Sequence, residues 1–134
     1  MSPTFGTDRW VAIVDDDEGV RRALARLLRV HGIEARTFSS ARDYLSRVDG
    51  APACLCVDLF LGDEMNGFEL TEQLRVQGIA PPTIFFTGHD AREFGPMVGE
   101  RHRGVVILRK PFDGGQLLHL VLEQLRTGLS NEVS

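Results

Sequence analysis

Ala53-Cys54-Leu55-Cys56-Val57-Asp58, a short apolar run that ends in a single carboxylate, restricts this chain's possible folds more than any other stretch. Apolar runs of this length bounded by turn formers read as buried parallel strands, and parallel strands carry functional groups at their carboxyl ends. Two further runs end in the same way, Trp10 to Val14 before Asp15-Asp16-Asp17, and Thr83 to Phe86 before Thr87. A fourth, Val105 to Leu108, delivers Arg109 and Lys110. A single sheet would gather these carboxylates, the hydroxyl and the ammonium at one edge, although they are far apart in sequence.

The segments between the runs read as helices. Asp17 can cap a helix from Glu18 to about His31, with Val20, Leu24, Leu27 and Leu28 as its inner stripe, Ala23 alongside, and Arg21, Arg22, Arg26 and Arg29 facing outward. Gly32 closes it, and the alternating apolar residues of Ile33 to Phe38 make a half-exposed edge strand. Ser39 or Ser40 caps a short helix reaching Val48, and Asp49 to Pro52 turns into the central strand. A loop from Leu59 to Asn66 leads to a helix from about Gly67 to Gln77, with Phe68, Leu70, Leu74 and Thr71 on or near its buried side. Gly95-Pro96 interrupts a weaker helix expected from Ala91 to about Glu100. Asp113 opens a last helix to Arg126, with Leu117, Leu118, Val121, Leu122 and Leu125 in its stripe, and Gly128 to Ser134 reads as a short frayed tail. Strands alternating with helices give an α/β fold with a parallel sheet covered on both faces.

Bulk properties exclude several classes of function. At 134 residues there is room for one domain, with a core covering roughly two-thirds of the unfolded surface. A net charge of −4 gives no electrostatic footprint for nucleic acid, so no direct nucleic-acid partner is expected. No apolar stretch approaches the roughly 20 residues of a membrane span, and Met1 to Asp8 lacks the pattern of a signal peptide, so the expected location is cytoplasmic. Cys54 and Cys56, two apart on one strand face, suit neither a redox pair nor a zinc knuckle and read as small buried thiols. His89 and His102 read as exposed loop histidines, and Phe85 and Phe86 as core.

The remaining chemistry is that of phosphate and a hard cation. Three neighbouring carboxylates, Asp15 to Asp17, near a fourth at Asp58 would repel one another unless a cation sat among them. Magnesium fits, because it prefers oxygen ligands and keeps waters that a phosphate can replace. A carboxylate that also faces a lysine and a hydroxyl can attack phosphorus, with the cation and ammonium neutralising the transferring group.

Taken together, Ile13-Val14-Asp15-Asp16-Asp17, Cys56-Val57-Asp58 followed by Asn66-Gly67-Phe68-Glu69-Leu70, Phe86-Thr87-Gly88-His89, and Arg109-Lys110-Pro111-Phe112 resemble the receiver domain of bacterial two-component response regulators. The match runs from about Trp10 to Arg126, and the Thr-Gly-His run is similar to receivers of the FixJ group. The resemblance implies a flavodoxin-like (βα)5 three-layer sandwich around a central five-stranded parallel sheet. It implies a receiver domain over residues 9–127 with a short C-terminal tail at 128–134, in a single-domain arrangement. By that resemblance Asp58 is the phosphoacceptor, and Asp15, Asp16, Asp58 and the backbone carbonyl of Phe60 hold Mg2+. Thr87 bonds the phosphoryl group, Lys110 pairs with it, and the Lys110-Pro111 bond is cis.

The implied function is a phosphorylation-dependent signalling module rather than an enzyme. Its expected partners are a sensor histidine kinase or histidine phosphotransfer protein, an output protein, and a second copy of this chain. Two alternatives stand beside it, a phosphohydrolase similar to the haloacid dehalogenases and a pseudo-receiver that binds proteins without phosphotransfer. The first would want a second carboxylate where Phe60 stands, and the full acidic pocket with Thr87 and Lys110 argues against the second. The chain also departs from the family pattern. Gly62 stands where proline is usual, the loop from Asp58 to Gly67 is one residue longer than the common pattern, and Ile107 occupies the usual aromatic switch position. The expected output face is the segment from Asp90 to Gly104.

Overall fold

Five strands, β1 (Trp10–Val14), β2 (Glu34–Phe38), β3 (Cys54–Asp58), β4 (Thr83–Thr87) and β5 (Val106–Arg109), form one parallel sheet in the order β2-β1-β3-β4-β5. The computed structural model describes residues 9–62, 65–88 and 106–133. The helix expected over 91–100, the output face at 90–104 and the two histidines at 89 and 102 fall outside them. Four helices accompany the strands among the described residues: α1 (Glu18–Val30), α2 (Ala41–Arg47), α3 (Gly67–Val76) and α4 (Gly114–Val133).

The central strands are buried along their whole length because helices cover both faces. On one face Trp10, Ala12, Val14, Leu55, Val57 and Phe85 pack with Tyr44 of α2 and Phe68, Leu70 and Leu74 of α3. On the other, Val11, Ile13, Cys54, Cys56, Ile84 and Phe86 meet Leu24, Ala25 and Leu28 of α1 and Leu117, Val121 and Leu125 of α4. Alternation along each strand thus feeds two cores, giving the expected flavodoxin-like three-layer sandwich. Both cysteines are buried and free. At the edge, β2 buries only Ala35 and Phe38. Arg36 there lies 4.3 Å from the centre of the Trp10 ring, so its stem and guanidinium shield an edge that would otherwise show an aromatic face.

Capping explains most helix starts. Asp17 accepts from the Val20 amide and Ser40 from the Asp43 amide, as expected. Asn66 and Glu69 form a reciprocal capping box at the start of α3. At the far end of α1, Gly32 and Ile33 donate to Arg29 and Leu28, the paired bonds of a Schellman closure.

Three expectations need correction. Ala25, not Ala23, lines the core side of α1, because it lies nearer the Leu24–Leu28 stripe at about 100° per residue. The same geometry turns Arg21 inward, about 60° from Leu24, where it is half-buried rather than solvated. Finally, α4 does not stop at Arg126 but runs to Val133. Leu122, Leu125 and Leu129 keep the helical spacing through Gly128, and one glycine costs a helix only about 1 kcal/mol. No helix among the described residues is long and apolar enough to cross a membrane.

Candidate functional site

The strand order changes direction of growth between β1 and β3, and open α/β sheets hold ligands in the crevice outside the carboxyl ends at such a reversal. Asp15 follows β1, Asp58 ends β3, and Val14 and Val57 are register partners, so the two carboxylates flank that crevice. Thr87 ends the neighbouring strand and Lys110 follows the next one, with Thr87 paired in register to Arg109. A backbone bond of 2.7 Å from the Lys110 amide to the Thr87 carbonyl continues that pairing.

The side chains converge as the strand ends do. Carboxylate oxygens of Asp15, Asp16 and Asp58 all lie within 4.8 Å of one another. Oxygens sharing one magnesium ion stand about 3 to 4 Å apart, so this all-oxygen cluster is close to the spacing the ion requires. Asp16 is exposed while Asp15 and Asp58 are buried, an arrangement in which a bound cation would keep water on its open side. Lys110 Nζ donates to Asp15 Oδ2 at 2.9 Å and to Asp58 Oδ2 at 2.8 Å. The other oxygens are also held, Asp58 Oδ1 by the Phe60 amide and Asp15 Oδ1 by the Asp17 amide, each at 2.9 Å. Phe60 therefore has its backbone beside the Asp58 carboxylate. The Lys110-Pro111 peptide is cis.

Burial raises the Asp58 pKa and the nearby Asp15 charge adds to this, while the Lys110 bond and charge and the Phe60 amide act against it; the net direction is upward. For Lys110 burial works against the charge, but the bonds and charges of Asp58 and Asp15 outweigh it and keep the ammonium ionised. Without added divalent cation, the Asp58 carboxyl carbon followed by NMR is expected to titrate above the ordinary aspartate range. Between the unfolded and the raised folded value the unfolded chain ionises first, so this group's contribution to stability falls as pH rises through that window. A titration at or below the ordinary value would show that Lys110 and Phe60 outweigh burial.

Two glycines shape the loop after β3. Gly62 has φ of +72°, and a Cβ there would lie 2.9 Å from Asp16 Oδ2. Its left-handed backbone is closed to proline, whose ring holds φ near −65°, which accounts for the departure noted at this position. Gly67 opens α3 directly against the Asp58 backbone, its amide 3.1 Å from the Leu59 carbonyl. The sequence reading missed three contributors: Arg21, whose Nη1 donates to the Asp15 carbonyl at 2.7 Å, the close approach at Gly67, and the Asn66 capping box. Only the last had a signal in the chain, an Asn followed three residues later by Glu.

Comparison with known proteins bears directly on this arrangement. The family profile of the response regulator receiver domain matches residues 11–122. Nodulation protein W of Bradyrhizobium diazoefficiens is 36% identical over 115 residues, covering 84% of this chain and 49% of that protein. Transcriptional regulatory protein FixJ of Rhizobium meliloti is 34% identical over 118 residues, covering 86% of this chain and 56% of that protein. This chain thus spans about half the length of those two curated relatives. The crystal structure of a response regulator receiver protein from Burkholderia phymatum superposes with a TM-score of 0.68 at 37% identity, covering 87% of this chain and 94% of that one. The profile match begins in β1 and ends in α4, so it spans every strand end that contributes to the pocket, and the chain belongs to the receiver domains of two-component response regulators.

Proposed function

We propose that Asp58 accepts a phosphoryl group from the phosphohistidine of a sensor histidine kinase or histidine phosphotransfer protein. The observation that carries this reading is the convergence of Asp15, Asp16 and Asp58 with Lys110 bonded between two of them. A Mg2+ ion held by Asp15, Asp16, Asp58 and the Phe60 carbonyl would supply charge to offset that on the phosphoryl oxygens. A carboxylate oxygen of Asp58 forms the new bond to phosphorus as the bond to the donor imidazole breaks, and the imidazole leaves with a proton from solvent. Lys110, already ionised, exchanges a carboxylate partner for a phosphoryl oxygen. Thr87, one strand over, bonds another of those oxygens. Both bonds to phosphoryl oxygens exist only once the group has arrived, which is the differential interaction a switch needs.

In this reading residues 9–127 form the receiver unit, which changes a protein-binding surface and turns over no substrate of its own. The output partner is a protein, which includes a second copy of this chain. A cytoplasmic setting suits the two free, buried thiols. Intact mass after incubation with acetyl phosphate and magnesium tests the reading: the wild-type chain is expected to gain one phosphoryl group, and to gain none when magnesium is chelated. No addition under either condition would favour a protein-binding module without phosphotransfer, and turnover of small phosphate esters would favour a phosphohydrolase.

A further inference from the structure

Arg21 stands in the first turn of α1, where the helix dipole disfavours a cation. Its neighbour Arg22 is 81% exposed and makes only a long surface pair with Glu18 at 3.8 Å. Arg21 instead folds back past the start of its own helix, half-buried, to donate from Nη1 to the Asp15 carbonyl at 2.7 Å. A charged donor on a backbone carbonyl makes a strong hydrogen bond, and this carbonyl belongs to the peptide that joins Asp15 to Asp16.

We propose that Arg21 is a positioning residue for the divalent-cation site, holding the Asp15–Asp16 peptide plane so that both carboxylates face the crevice; this rests on the cation reading given above. Fixing that plane fixes ψ of Asp15 and φ of Asp16 together, and hence the direction in which each side chain leaves the backbone. The Asp15 carboxylate has further anchors in the Asp17 amide and Lys110. Asp16 is exposed, and the direction of its side chain depends on this peptide.

The sign of the effect separates positioning from plain electrostatics. Removing a cation near carboxylates should, by charge alone, tighten magnesium binding. Loss of positioning should weaken it. Calorimetric titration with magnesium chloride alone would compare wild type, Arg21→Ala, Arg21→Gln and Arg22→Ala, each checked by thermal melting. Arg21→Ala is expected to bind magnesium on the order of 10-fold more weakly, as when a partner that orients a metal ligand is lost. Arg21→Gln, which keeps an N–H donor without the charge, should fall between it and wild type, and Arg22→Ala should match wild type. Labelling by acetyl phosphate should return to near the wild-type rate at saturating magnesium, because the reacting carboxylate is untouched. Binding by Arg21→Ala as tight as wild type or tighter would overturn the proposal, and Arg21→Gln decides in the same way if the alanine variant does not melt cooperatively. A wild-type chain that bound no magnesium would remove the cation reading itself, and the proposal with it.

Discussion

Asp58→Asn is expected to take up no phosphoryl group from acetyl phosphate and magnesium. Asparagine nearly matches aspartate in shape, so its side-chain oxygen can still accept from the Phe60 amide at the end of a fully buried strand, and Lys110 keeps its bond to Asp15. The carboxylate nucleophile is lost, because an amide oxygen carries no charge and does not form a stable ester with phosphorus. Intact mass of the variant beside wild type is the measurement. Labelling that persists undiminished would move the acceptor to Asp15 or Asp16, whose oxygens share the same cluster. The variant should still fold, since burial works against the charge of Asp58 and neutralising it relieves that opposition. A melting midpoint near or above that of wild type, together with absent labelling, would assign the loss to chemistry rather than to unfolding.

Gly67→Ala is expected to produce the largest loss of stability of any glycine-to-alanine change among the described residues. A Cβ at this position would stand 2.3 Å from the Asp58 carbonyl oxygen, 3.0 Å from its carbonyl carbon and 3.1 Å from Val57 Cγ2. The first two are backbone atoms of a central strand, so no rotamer change relieves the clash, and either α3 or the end of β3 must move. Overpacking of a core typically costs about 1 to 3 kcal/mol, and a backbone clash belongs at the upper end, about 3 kcal/mol. At roughly 4 °C per kcal/mol for a chain of this size, the melting midpoint should fall by on the order of 10 °C. The displaced atoms belong to Asp58, the proposed acceptor, so labelling of whatever folded protein remains should fall as well. A variant that melts within about 2 °C of wild type would show that α3 tolerates a shift at its first turn.

Sequence patterns identify residues whose placement follows from their own strand. A polar residue after a buried apolar run must lie at the strand end, and this rule alone puts Asp15, Asp58, Thr87 and Lys110 on one edge, where the strands do carry them. Helix starts were legible for a similar reason, since Asp17 and Ser40 are residues whose side chains bond the backbone locally. Contacts decided by the approach of two elements left no such mark. Nothing in Asn66-Gly67-Phe68 indicates that a glycine lies against the carbonyl of a residue nine positions earlier. Arg21 reads as surface because arginine usually is, and its inward turn depends on a rotation of α1 that the neighbouring leucines set. The end of α4 was not legible because a glycine near a terminus reads as a frayed tail, whereas the helix runs on through Gly128 to Val133.

The loop at Gly62 also bears on how this chain could be re-engineered. A consensus library built from receivers would put proline there, reasoning that the commonest residue is the most stabilising one. That reasoning assumes a shared backbone. Here φ is +72°, and even an alanine Cβ would press on the Asp16 carboxylate at 2.9 Å. A proline would have to swing the loop through more than a hundred degrees of φ, carrying the chain between Asp58 and α3 with it. A proline at this position would therefore disturb the acidic cluster of Asp15, Asp16 and Asp58 rather than stabilise the chain.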